Sequence, residues 1–142
     1  MIVYLDAPDI SERIKEIVFR LELDHVRADR VACYRSKGSS AKGTIARCHA
    51  LPKIMQKALQ CQPFYIIEVI SEEFDEMPED EQTRTLVHEL LHIPLAFGGG
   101  FKHHDFVNDE MVERFYKKFM IEKEKEQKNI DFKDKLKDVF KR

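Results

Sequence analysis

The sequence predicts an α+β fold: a short mixed sheet, a central helix entered at Pro78, and a C-terminal helix. Three observations predict it. Apolar residues recur at helical spacing in three separate stretches, and a β-rich run, Phe64–Ile70 (FYIIEVI), lies between two of them. The chain has 142 residues, 43% hydrophobic and 35% charged, enough for one buried core. That balance, with only five Gly and five Pro, excludes a disordered or fibrous chain.

Each element has its own signal. Ile10, Ile14, Ile17, Val18 and Leu21 share one face of a helix, and Asp9 followed by Glu12 has capping-box spacing. Alternation around Val31 and Cys33 predicts a strand within His25–Tyr34. Arg35–Gly43 is small, polar and basic and reads as a loop. Pro52 is placed to open a short helix to Leu59, with Ile54, Met55, Ala58 and Leu59 facing inward. Pro63 precedes the Phe64–Ile70 strand. Acidic residues from Glu72 to Glu81 suit the positive end of a helix dipole, and Pro94 prevents that helix from continuing beyond Ile93. After Gly98-Gly99-Gly100 a last helix begins near Asp105, carrying Val107, Met111, Phe115 and Phe119. The expected organisation is one domain over 1–128 and a charged helical extension or tail over 129–142.

The net charge of −2 is unevenly spread: residues 1–113 hold 13 Lys+Arg against 20 Asp+Glu, and residues 114–142 hold 11 against 6. A basic tail on an acidic body suits weak contact with nucleic acid or an acidic partner, though alternating Lys and Glu also mark a solvated helix face. The segment Arg27–Lys53 is basic too, readable as a solvated loop or as a path for nucleic acid. No apolar run approaches bilayer length, and Met1–Asp6 lacks the basic start of a signal peptide, so a soluble cytoplasmic protein is expected. Cys33, Cys48 and Cys61 are odd in number and show no CxxC spacing, which favours free thiols. With His49 they offer a weak alternative metal cluster whose spacings match no common finger.

The chemistry is concentrated in one window. Four of the six histidines lie between positions 88 and 104, and His88-Glu89-Leu90-Leu91-His92 is an HExxH motif. Residues four apart project from one helix face, so both imidazoles can reach a single ion. Zinc suits neutral imidazole nitrogens in tetrahedral geometry. Glu89 lies about 100° from His88 and about 60° from His92 around the helix axis. It can therefore reach a metal-bound water without being a ligand. The third ligand comes from His103-His104-Asp105, which the glycines allow to fold back. His104 is favoured, with Asp105 beside it to orient the ring, while His103, Asp105, Asp109 and Glu110 stay open as alternatives. His25 and His49 read as surface or satisfied core groups.

TLVHELLHIP (85–94) followed by GGGFKHHD (98–105) resembles a metallopeptidase family described from archaea and phages. The similarity extends through 30–59 and 64–75, and it is more distantly shared with SprT-like zinc proteases. The resemblance implies a small zincin-like domain with His88, His92 and His104 as ligands of Zn2+ and Glu89 as catalytic base. The metzincin pattern is absent, since the position six beyond His92 is Gly98.

The expected activity is zinc-dependent hydrolysis of peptide bonds through a zinc-activated water, with Glu89 as general base. The substrate would be a peptide or protein, lying extended along an edge strand formed by Phe64–Ile70. A zinc-dependent nuclease and a zinc-stabilised interaction domain are the alternatives. Glu after the first histidine favours the peptidase.

Overall fold

The computed structural model describes residues 1–39 and 42–141. Among them, four strands and five α-helices follow in order: β1 (Val3–Asp6), α1 (Pro8–Arg20), β2 (Val31–Lys37), β3 (Ala46–Ala50), α2 (Lys53–Leu59), β4 (Tyr65–Ile70), the single turn α3 (Ser71–Phe74), α4 (Glu79–Leu91) and α5 (Asp109–Phe140). The sheet runs β1-β2-β4-β3; β2 and β4 are parallel and both outer pairings are antiparallel. The architecture is α+β with a mixed sheet, consistent with a small zincin-like domain.

One face of the sheet makes the core. Val31, Cys33, Tyr65, Ile67 and Val69 meet Ile10, Ile14 and Ile17 of α1 and Leu86, Val87 and Leu90 of α4. Five of the six β4 residues are buried because α-helical layers cover one face and neighbouring strands flank it. That placement corrects an expectation: β4 is hydrogen-bonded on both sides and offers no edge to a substrate. The edge beside α4 is β3, a strand that Arg47 and His49 disguise by interrupting its small apolar residues.

Other local expectations fail for physical reasons. Ala7, not Asp9, is the N-cap of α1, and no side chain caps it. Asp9 is instead held by the Arg35 guanidinium at 2.6 and 2.7 Å, with Asp75 on its other side. Arg35 to Lys37 continue β2 rather than opening the loop, and Ser40 and Ala41 of that loop lie outside the described residues. α2 forms where Pro52 places it, but Ile54 is 78% and Leu59 61% exposed, so its apolar side faces outward. No helix among the described residues is long and apolar enough to cross a membrane.

Candidate metal centre

α4 begins cleanly. Pro78 occupies the N-cap, and Glu79, Asp80 and Glu81 fill the first turn, where the helix dipole favours negative charge. The buried face of Leu86, Val87 and Leu90 fixes the rotation of the helix on the sheet. That rotation turns His88 and His92 toward His104 and buries Glu89, which is only 6% exposed. The chain then stops helical pairing at His92 and turns at Pro94.

The return of the chain is pinned by contacts no motif announces. The hydroxyl of the buried Tyr65 donates to the Gly100 carbonyl at 2.8 Å and accepts from the Gly99 N–H at 3.0 Å. Gln56 Nε2 donates to the carbonyls of Leu51 and Gly98. Gly99 has φ +104°, and a Cβ there would sit 2.7 Å from the Leu51 carbonyl oxygen, so both conformation and space demand glycine. Lys102 N–H donates to the His92 carbonyl, which lays the return strand of the loop against the end of α4. Tyr65 and Gln56 are the functional-site residues that sequence reasoning missed. A tyrosine in a strand of mostly buried residues was the available signal, since a buried hydroxyl needs partners.

The result is a cluster of three rings. His88 Nε2 lies 3.3 Å from His104 Nε2, and one nitrogen from each of His88, His92 and His104 falls within 4.8 Å of the others. Two nitrogens each at 2.0–2.1 Å from one tetrahedral ion would be roughly 3.3 Å apart, so the donor set fits a metal ion. His92 Nδ1 hydrogen-bonds the Lys102 carbonyl, and its ring stacks on Phe101 at 4.3 Å, which leaves Nε2 aimed at the cluster. Burial is the main cause lowering the pKa of His88 and of His92, followed for His88 by its neighbouring imidazoles. Both rings are therefore held neutral, the form that offers a lone pair.

The remaining candidates separate. His103 is exposed and packs edge-on against Phe101, outside the cluster. Asp105 makes no hydrogen bond to His104 among the described residues; the carboxylate that acts on the cluster is Asp109, which raises the His88 pKa. Glu110 is exposed and pairs with Arg114 at 3.9 Å. His49 bonds Glu68 at 2.8 Å on the opposite face of the sheet, and His25 has a backbone hydrogen bond with Ile93, so both are satisfied as expected. Cys33 is buried under α1, Cys48 faces Glu89, and Cys61 is exposed beyond α2, so the cysteines make no common cluster. No other group of metal-ligating side chains converges among the described residues.

Glu89 has the setting of a proton carrier. Burial pushes its carboxyl up to about 7, opposed only by a backbone hydrogen bond from Cys48. A cation held by the histidines would draw it down again. The neighbouring Cys48 thiol is pushed up to about 12 by burial and then by the Glu89 charge, so it stays protonated and is no nucleophile. Glu89, His88 and His104 line a cleft of about 750 Å³ whose far walls are Gly43–Ala46, Arg84 and Asp109.

The edge of β3 borders this cleft. Leu51 N–H donates to the Phe64 carbonyl just before β4 and the Ile45 carbonyl accepts from Ile70 N–H, so by antiparallel alternation Ala46, Cys48 and Ala50 turn their N–H and C=O groups outward.

Comparison with known proteins gives one match. The model of a family described as "Putative phage metallopeptidase" matches residues 2–137. No curated protein and no solved structure matches the chain.

Proposed function

The chain belongs to the phage metallopeptidase family, and from that premise we propose that it hydrolyses peptide bonds with a zinc ion held by His88, His92 and His104. The observation that carries this reading is the convergence of three imidazoles beside a buried glutamate at an open strand edge. Three imidazole nitrogens leave a coordination position for solvent or substrate, the donor pattern of hydrolytic rather than purely structural sites. When bound, the ion supplies Lewis-acid polarisation of the scissile carbonyl and a more acidic water.

The chain's own residues do the rest. Glu89 accepts a proton from the attacking water and returns it to the leaving amine. His92 keeps its donor nitrogen fixed through the Lys102 carbonyl and Phe101. The outward groups of Ala46 and Ala50, with the Cys48 carbonyl, hold an extended peptide by strand addition, in the role first expected of Phe64–Ile70. The Cys48 N–H, by bonding Glu89, sets the carboxylate at the level of that peptide.

A proteolysis screen of zinc-loaded protein tests the reading, with Glu89→Gln as control. Glutamine keeps the shape but cannot take the proton. Hydrolysis should fall about 10²–10⁴-fold while metal content stays at one ion per chain. Near-normal turnover by Glu89→Gln would remove this mechanism.

A further inference from the structure

The distal half of α5 leaves the domain without a partner. Up to Asn129 one side of this helix packs on the body: Val112 and Phe119 are buried, Lys118 Nζ reaches the Leu21 carbonyl, and Glu126 pairs with Arg20 at 2.6 Å. At 100° per residue, Phe132, Leu136 and Phe140 form a stripe in line with Glu122, Lys125 and Asn129, the side of α5 that faces the end of α1. The three apolar residues are exposed, Phe140 at 83%. An apolar stripe on a free helix lacks the tertiary packing that stabilises most helices in water.

At the base of the arm is a cleft of about 750 Å³ between the end of α1 and α5. Its apolar lining is Val18, Phe19, Leu23 and Val26, and Phe19 is 77% exposed. Its charged rim is acidic, with Glu22, Asp24, Glu122 and Glu126 against Arg20 and Lys125. Two of these acids are partly engaged within the chain, Glu126 with Arg20 and Glu122 with Lys125 at 3.4 Å, and both remain solvent-accessible. The arm that lacks a partner is basic, with Lys133, Lys135, Lys137, Lys141 and Arg142 against Asp131, Asp134 and Asp138.

We propose that this cleft receives the distal α5 of a second copy of the chain, reciprocally, so that two α5 helices pair antiparallel about a twofold axis. The pattern of charge specifies the register. If the helices cross between Asn129 and Ile130, Glu126 and Lys133 lie equally far from the crossing, as do Glu122 and Lys137. Each acid then comes level with a lysine of the other copy. Phe132, Leu136 and Phe140 enter the apolar lining beside Phe19, and a self-complementary twofold contact closes without forming fibres.

Sedimentation of the full chain over a concentration series tests this. Wild type should be a reversible dimer, and Phe132→Ser/Leu136→Glu should be monomeric with unchanged near-UV signal, because both residues lie outside the packed body. Glu122→Lys/Glu126→Lys and Lys133→Glu/Lys137→Glu should each weaken self-association by roughly tenfold or more. Mixed one to one, these two charge variants should regain the wild-type affinity, since each then faces opposite charge on the other. A wild type that stays monomeric at every concentration, or a dimer indifferent to these substitutions, overturns the proposal. A mixture no tighter than either variant alone overturns the antiparallel register.

Discussion

The two halves of the candidate centre are built by different physics. His88, Glu89 and His92 sit on α4, where the helical period sets their spacing and the buried Leu86, Val87 and Leu90 set which way they face. His104 sits on the return segment after Pro94, which has no repeating geometry and is placed by hydrogen bonds from Tyr65 and Gln56. A helix positions a ligand through local rules, whereas a loop positions one through contacts made far away in sequence. Mutations in the two halves should therefore fail in different ways.

The largest effect belongs to the helical half. His92→Ala removes the ring that the Lys102 carbonyl and Phe101 hold in place. Metal affinity should fall by well over about 100-fold, more than an orienting partner alone is worth, and hydrolysis should fall with it. Elemental analysis after dialysis reads the first and a peptidase assay the second. His104→Ala should lower affinity sharply too, whereas His103→Ala should leave the metal bound and at most slow turnover. The opposite ranking of the two loop variants would move the proposed ligand by one residue and leave the helical half intact.

The loop half should also break at a distance. Tyr65→Phe keeps the aromatic ring in the core but deprives Gly100 of its donor and Gly99 of its acceptor. The sheet should survive, while metal affinity drops about tenfold, the lower end of what orienting partners contribute. Gly99→Ala should act more bluntly. It combines a φ of +104° with a backbone contact at 2.7 Å, so a cost of about 1–3 kcal/mol is expected in denaturant unfolding. Unchanged metal affinity in Tyr65→Phe would mean that the loop holds His104 without this bond.

The same contrast explains what was legible in the sequence. The α+β class, the central helix and the pairing of His88 with His92 follow from periods of two and 3.6, which are local. The strand β3 was not legible, because a five-residue edge strand reading Ala-Arg-Cys-His-Ala carries little β-branched or aromatic signal. Nor was the central position of β4, since a buried apolar run looks alike at an edge or a centre. Asp9 had the residue type and spacing of a cap, yet Arg35, distant in sequence, claimed it. The outward face of α2 follows the same logic: amphipathicity shows that a helix has two faces, not which one finds a partner.

The smallest expected effect comes from the opposite face of the sheet and tests whether the site is separable from the fold. Glu68 is buried on β4, and burial alone would raise its pKa. Hydrogen bonds from Ser36 at 2.6 Å and His49 at 2.8 Å, with Arg47 nearby, outweigh burial and hold the carboxyl below its ordinary 4.5. A carboxyl with a folded pKa below its unfolded one binds protons more readily when unfolded. Its stabilisation is therefore complete above about pH 4.5 and is lost as pH falls through the lowered folded value. Glu68→Gln cannot titrate, so it should melt below wild type at neutral pH by a few degrees, on the order of 1 kcal/mol for a chain of this size. As pH drops below about 4.5 the gap should narrow, because wild type loses what the variant never had. Metal content at neutral pH should stay unchanged, since none of Ser36, His49 and Arg47 touches the histidine cluster. A gap that widens in acid would reverse the sign assigned to Glu68, and a loss of metal would show that the two faces of the sheet are coupled.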